Sequence, residues 1–283
     1  SSKKSAEILV VGDYGWEDFS PTHKAVFVPF TGTNRIDIKL LKENNIKLFN
    51  SQAHSHYVAE RALALILTLL GKIIPYHQGL SQGDWANRNS EERIPWTSIY
   101  AKRVGFLGYG VINQHLHQHL KPFEIKAFTL DRGKNYHDVQ LVKDVKTLVK
   151  CSDIIVMALP LNAKTKHIMN ADYLSEMHDK YLINVGRGDT VHEKDLYDAL
   201  TQKTLAGFAS DVWWHYPNGG EILKPSIYPI ESFDNVVMTP HSGGFTETAL
   251  EERFEDTWRQ IKAHQNGDDS DALDLEKLLK YET

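Results

Sequence analysis

The sequence predicts an α/β fold, a doubly wound parallel sheet, on three observations. Short apolar runs alternate with helical patterns along the chain. Most of those runs lack the in-and-out alternation of a half-exposed strand, as expected for strands covered on both faces. A glycine-rich turn also joins one of the runs directly to a helix.

In chain order, the strands are expected at residues 8–11, 24–28, 47–49, 103–107, 125–130, 154–159, 181–185, 205–209 and 236–238. The longest greasy run, 62–70, is flanked by Glu60, Arg61 and Lys72 and is too short to span a bilayer. Residues 80–95 turn polar and irregular and mark a hinge. Thr239-Pro240-His241-Ser242-Gly243-Gly244 breaks the strand series, and an amphipathic helix follows from 246 to about 264 with no further strand pattern. These signals divide the chain into residues 1–84, 85–244 and 245–283, the middle part being one domain and the outer parts the halves of another.

Composition sets the class. At 283 residues, with 41% hydrophobic and 24% charged residues, the chain fits two medium domains and excludes disordered and low-complexity architectures. The net charge is −5 and the basic residues are scattered, so no nucleic-acid or anionic-membrane surface is expected. The single cysteine, Cys151, leaves no intrachain disulfide or cysteine zinc cluster, and no secretory leader pattern opens the chain. A cytoplasmic setting is the expectation.

The first functional signal is Val104-Gly105-Phe106-Leu107-Gly108-Tyr109-Gly110-Val111-Ile112-Asn113, a buried strand running through a glycine turn into a helix. Gly108 permits the tight turn and Gly110 lets the backbone approach a pyrophosphate. The helix start over Tyr109, Val111 and Ile112 offers free N–H groups to phosphate oxygens. Asn113 replaces the usual third glycine and should push the helix out slightly or adjust the turn. Asp131, about 20 residues further on at the next strand end, suits the adenosine ribose hydroxyls and favours NAD over NADP, although Arg132 beside it could attract a 2′-phosphate.

The second signal lies at three strand ends. Gly186-Arg187-Gly188 follows one strand, Asp211 the next and His241 the last. Ligands of open α/β sheets bind at such carboxyl ends. An arginine fork binds a carboxylate, and a histidine exchanges a proton near neutrality. Together they suit reduction of a 2-oxo acid.

With these motifs the sequence resembles the D-isomer specific 2-hydroxyacid dehydrogenases, a family that includes glycerate, phosphoglycerate and D-lactate dehydrogenases and glyoxylate reductases. The resemblance runs from about Phe30 to Trp258 through residues 31–37, 58–64, 83–85, 152–161 with Thr165, 184–188, 211–212 and 239–244. It implies a Rossmann-type domain inserted into a smaller, shortened flavodoxin-like α/β domain. It also implies an active site in the cleft between them and a homodimer formed through the NAD-binding domains. Arg187 would then hold the substrate carboxylate, with Thr31, Gly32, Thr33 and His54 near it, and His241 would be the acid/base. Leu159, Pro160, Asp211 and Gly243 would line the nicotinamide side, and Thr165, Val185 and Gly186 would complete the cofactor set.

The family pattern is broken at three places. Tyr216 stands where a glutamate normally pairs with the histidine, which should leave His241 a weaker proton source. His54 replaces an asparagine near the substrate, and Asn113 replaces the glycine already noted. Two other readings therefore accompany the 2-oxo acid oxidoreductase: an NAD(H)-binding regulatory or corepressor-like protein, and a formate-dehydrogenase-like hydride transfer that needs no proton.

The remaining candidates read as structural. His115, His117 and His119 are expected to be solvated helix residues with no metal, and Cys151, at the start of a strand, to be packing. Trp213, Trp214 and Tyr216 either wall the substrate cleft or cover the domain junction. Residues 251–256 read as the wet face of an amphipathic helix.

Overall fold

The computed structural model describes residues 6–12, 20, 22–33, 36–89 and 95–282. The chain forms two compact units, one from residues 1–57, 162–164 and 244–283 and the other from residues 58–161 and 165–243.

The first unit holds a parallel sheet in the order β1 (Ile8–Val10), β2 (Ala25–Val28), β3 (Lys47–Asn50). Between β2 and β3, α1 (Ile38–Glu43) starts where Asp37 accepts a 2.9 Å hydrogen bond from the Leu40 N–H, satisfying one orphan donor of the first turn. The strand period of two sorts the core. Val26, Val28 and Leu48 pack with Ile38 and Leu41, and with Leu275, Leu278 and Leu279 of α10 (Leu275–Glu282). Ala25, Phe27 and Phe49 turn to the other face, where the two rings stack at 4.4 Å and meet Ile261 of α9 (Ala249–Gln265). α10 was not expected from the sequence, because eight residues after a polar loop carry too short a helical period to stand out.

The second unit is a seven-stranded parallel sheet. Its strands are β4 (Arg103–Leu107), β5 (Lys126–Leu130), β6 (Val139–Val142), β7 (Ile154–Met157), β8 (Tyr181–Asn184), β9 (Gly207–Ser210) and β10 (Val236–Met238). The spatial order is β10-β9-β8-β7-β4-β5-β6. The chain enters at β4, winds out to β6, returns beside β4 as β7 and winds out the other way to β10, which makes the doubly wound sheet anticipated above.

Each central strand feeds two cores. Val104, Phe106, Ile154, Val156 and Ile183 face α2 (Ser55–Leu70) and α5 (Val111–Leu120). Leu107, Ile155, Met157, Leu182 and Phe208 face the side of α6 (Val145–Cys151) and α8 (Glu193–Thr201). The Lys180 ammonium donates to the carbonyls of Val149 at 2.6 Å and Ser152 at 2.9 Å, closing the C-terminal end of α6.

The structure differs from expectation in several places. β6 went unpredicted because its half-buried edge residues, Val139-Gln140-Leu141-Val142, follow a charged loop. Residues 158–159 and 205–206 lie outside the strands assigned to them, and Cys151 ends α6 instead of opening a strand. The limit between the compact units falls at 57/58, not in the polar stretch at 80–95, because Val58, Ala59, Ala62, Leu65, Ile66 and Leu69 are core residues of the second unit. Residues 90–94 of that stretch lie outside the described residues.

At the β8 end the backbone passes very close to the segment after β9. A methyl group on Gly188 would run into the Trp213 main chain. Gly188→Ala is therefore expected to cost about 3 kcal/mol, read as a lower urea midpoint with an unchanged slope; a midpoint equal to wild type would contradict the tight crossing.

Candidate active site

The loop between β4 and α5 is built for an anion. Gly108 sits at φ +91°, where a Cβ would lie 2.8 Å from the Ala158 carbonyl oxygen, so both conformation and space require glycine. A Cβ on Gly110 would meet nothing within 4 Å, so this backbone faces open space. Gly110 is also the N-cap of α5, and no side chain caps the first turn. The N–H groups there remain available to phosphate oxygens.

Asn113, expected to push the helix out slightly or adjust the turn, bonds to the turn itself. It is fully buried, and its Nδ2 donates to the Gly108 carbonyl at 2.6 Å and more weakly to the Val156 carbonyl at 3.3 Å, while Oδ1 has no partner. The amide thus ties the glycine turn to α5 and the end of β7. A second tie joins Tyr109 to the same helix, its hydroxyl sharing a 2.6 Å hydrogen bond with His117 Nδ1. Burial pushes the Tyr109 phenol up to about 12 and pulls His117 below its ordinary value, so both stay neutral near pH 7. His117 is 3% exposed, which corrects the expectation of a solvated residue; His115 and His119 are exposed as anticipated.

Asp131 follows β5 and is exposed. One carboxylate oxygen accepts from the Gly133 N–H at 2.9 Å, and the other is open to a sugar hydroxyl, with Arg132 exposed beside it. After β7, Leu159 and Pro160 form a turn in which Thr165 donates to the Pro160 carbonyl at 2.6 Å. Gly186, next to buried Val185, approaches so closely that a Cβ would lie 2.6 Å from the Leu159 oxygen. These are the contacts a bound dinucleotide requires: close backbone, an uncapped helix start and an open acid at the second strand end.

The adjacent strands β8, β9 and β10 bring the reactive candidates together. After β8, Asn184 accepts from the Gly186 N–H at 3.1 Å and donates to the Arg187 carbonyl at 2.9 Å, fixing the turn. Arg187 Nη1 donates to the Gly186 carbonyl at 2.7 Å, and burial lowers its pKa from the ordinary arginine value. After β9, Asp211 is 2% exposed and accepts from the Thr239 hydroxyl at 2.6 Å and from the N–H groups of Ser242 at 3.1 Å and Gly243 at 2.8 Å. It therefore brackets His241, which the turn holds at φ 55°.

The His241 ring is pulled below its ordinary value, first by loss of hydration and then by the Arg187 cation, with Asp211 acting weakly the other way. Tyr216 lies beside it with ring centroids 5.4 Å apart. Its hydroxyl does not bond the imidazole but accepts from the Trp213 N–H at 2.9 Å. Trp213 and Trp214 are anchors within this unit, their indole N–H groups donating to the carbonyls of Thr239 and Val191. Sequence reasoning missed the bracketing role of Asp211, which depends on hydrogen bonds across 31 and 32 residues.

Thr31, Gly32, Thr33 and His54 lie in the first unit and are half-buried or buried. Thr31 Oγ1 stands 3.4 Å from His54 Nε2, and Asn50 donates to the Thr31 carbonyl at 2.7 Å. His54 is lowered to about 4 by burial and by the Arg253 and His56 charges, and its Nδ1 has no partner. In the same unit, residues 251–256 of α9 are exposed or half-buried, as expected of its wet face, and Asp256 accepts from the Ser51 hydroxyl at 2.7 Å and from Arg259. Among the described residues no group of His, Cys, Asp or Glu could hold a metal ion, and no helix is long and apolar enough to cross a membrane.

A doubly wound sheet with a dinucleotide turn on its first strand and an arginine and a histidine on later strand ends defines an NAD-dependent oxidoreductase. The chain belongs to the D-isomer specific 2-hydroxyacid dehydrogenase family: residues 63–243 match the profile of that family's NAD-binding domain. It is 31% identical to the hydroxypyruvate reductase of Thermotoga maritima over 77% of this chain and 70% of that one. Among solved structures it is similar to an acyclic imino acid reductase (Bsp5) in complex with NADPH and D-Arg, with a TM-score of 0.84 and 27% identity over 96% of this chain and 87% of that one. It is also similar to the D-lactate dehydrogenase of Aquifex aeolicus complexed with NAD and lactic acid, with a TM-score of 0.81 and 26% identity over 95% and 86%.

Two outcomes follow from this geometry. Asn113→Ala removes the tie on the glycine turn, so the Kd for NADH should rise about fivefold, roughly one hydrogen bond, in a fluorescence titration; unaltered affinity would show that the tie is dispensable. His54 has a folded pKa depressed to about 4 from 6.5, so its stability contribution is present above pH 6.5 and is lost as pH falls toward 4. The thermal midpoint should therefore drop over that window, and His54→Asn should flatten the drop.

Proposed function

We propose that the protein interconverts a small 2-oxo acid and its D-2-hydroxy acid. Arg187 binds the carboxylate and orients the carbonyl, and His241 exchanges the proton with the substrate oxygen. The observation that carries this reading is that Arg187 and His241 follow β8 and β10, the strands on either side of β9, with the guanidinium lowering the imidazole pKa. The names of the relatives, hydroxypyruvate reductase and D-lactate dehydrogenase, support the substrate class.

When bound, the nicotinamide supplies or accepts the hydride. Gly108, Tyr109, Gly110, Val111 and Ile112 would hold the pyrophosphate, Asp131 the ribose, and Leu159, Pro160, Val185, Gly186 and Gly243 the nicotinamide end. In reduction, protonated His241 delivers its proton to the carbonyl oxygen; in oxidation, neutral His241 takes it from the hydroxyl. Asp211 acts through the loop it brackets.

Pairing of two chains through the second unit is part of the same proposal. Leu67, Ile73, Ile74 and Leu80, with Trp85, Trp96 and Tyr100, expose large apolar side chains there. Light scattering of the purified protein tests it, and a monomer at micromolar concentration would contradict it.

Arg187→Ala is expected to lower kcat/KM for glyoxylate, pyruvate or hydroxypyruvate about a thousandfold, since it removes a charge pair at the reacting group. Retained turnover would sink the assignment. Reduction needs protonated His241, so kcat/KM should fall as pH rises, with an apparent pKa below about 6.5 because the folded value is depressed. A midpoint above about 7.5 would contradict an unpaired imidazole.

A further inference from the structure

We propose that Tyr136 is a positioning residue for the dinucleotide: seated against the Tyr109 ring, it holds the turn after β5 in the form that presents the Asp131 carboxylate to the adenosine ribose. The proposal rests on the assignment of Asp131 to that ribose and adds the device that readies the acid for binding.

Asp131 opens the connection from β5 to β6, residues 131–138. Its own N–H donates to the Val142 carbonyl at 2.8 Å, so its main chain is pinned to the edge strand. The side chain is held differently. One carboxylate oxygen accepts from the Gly133 N–H at 2.9 Å, and Gly133 stands at φ +71°, a left-handed conformation that glycine adopts freely. The direction of the open oxygen therefore depends on the shape of this turn.

Most of the turn faces water. Residues 131–135, 137 and 138 are exposed, and Tyr136 alone among 131–138 is half-buried. Its ring meets the Tyr109 ring in a T-shaped pair, with centroids 4.7 Å apart and planes at 69°. Such pairs stabilise beyond the area they bury. Further along, Asp138 pairs with Lys121 at 3.3 Å, an exposed ion pair of the kind that adds little. The ring contact is thus the main seat of the turn.

Tyr109 serves as that seat because it is itself fixed. It stands between Gly108 and Gly110, its ring packs against buried Phe106 with centroids 5.5 Å apart, and its hydroxyl bonds His117, which is 3% exposed. The residue inside the phosphate-binding turn therefore also carries the loop that bears the ribose acid. Pyrophosphate turn and ribose acid form one preorganised surface, and binding is spared the entropy of ordering an exposed loop.

Fluorescence titration with NADH reads this coupling in a double-mutant cycle. Asp131→Ala is expected to raise Kd about tenfold, the loss of a charge-assisted hydrogen bond. Tyr136→Ala is expected to raise it about fivefold in the wild-type background, because the seated turn falls to about a fifth of the population. In the Asp131→Ala background the same change should cost less than about twofold, since the turn then has no acid to present. Tyr136→Phe keeps the ring pair and should bind within about twofold of wild type. In cofactor-free protein, the Gly133 N–H should exchange with deuterium about fivefold faster in Tyr136→Ala than in wild type.

Losses that add across the cycle, an unaltered Gly133 exchange rate, or wild-type affinity in Tyr136→Ala would overturn the positioning role and leave Asp131 as the ribose acid. Unchanged affinity in Asp131→Ala would overturn that assignment and this inference with it. Should Tyr136→Ala fail to fold, Tyr136→Leu, which keeps apolar volume without the ring, takes its place in the cycle under the same criterion.

Discussion

The end of the second unit that carries Arg187 and His241 hangs on one buried carboxylate. Asp211 leaves β9 almost fully buried and accepts from the Thr239 hydroxyl and from the N–H groups of Ser242 and Gly243. A carboxylate this enclosed is costly unless its lone pairs are filled, and here the loop after β10 fills them. That loop carries His241 in the left-handed region, a conformation a non-glycine residue keeps only when its surroundings over-determine it. Arg187, one strand further in, is fixed by Asn184 on both sides of its turn. The Arg187 turn is therefore held by its own strand end and the His241 turn by hydrogen bonds to the neighbouring one, and the parallel sheet sets their spacing.

The dinucleotide end tolerates an irregular sequence because compensation is local. Asn113 stands where glycine usually allows close helix packing, and it replaces that closeness with bonds to the glycine turn and to β7. Tyr109 and His117 make a second fastening one turn along α5. Both devices bury polar side chains with partners, which offsets their desolvation. The unpaired Asn113 Oδ1 is the residual cost. Tyr216 is different in kind: it lies beside His241 without adding a charge near neutrality, and its hydroxyl is turned to the Trp213 N–H.

Much of this was legible in the residues. The glycine turn, the open acid at Asp131 and the arginine and histidine at strand ends are short-range patterns, and apolar runs covered on both faces announced the parallel sheet. Edge strand β6 and helix α10 were not legible, because one is half-exposed and the other is short and follows a polar loop. His117 misled for a related reason. A histidine on a polar helix face reads as solvated until a tyrosine eight residues earlier is folded back onto it.

The sequence by itself determined the α/β class, the phosphate-binding turn and the arginine and histidine that follow strand ends, because each is encoded within a few consecutive residues. Tertiary structure decided what those side chains experience. That Asp211 is spent on the loop around His241, that the Tyr216 hydroxyl faces a backbone N–H instead of the imidazole, and that helix residues 58–70 belong to the core of the second unit all depend on atoms distant in sequence. Hydration, charge and hydrogen-bond supply around a titratable group are set by such neighbours, so the working character of His241 is a property of the fold.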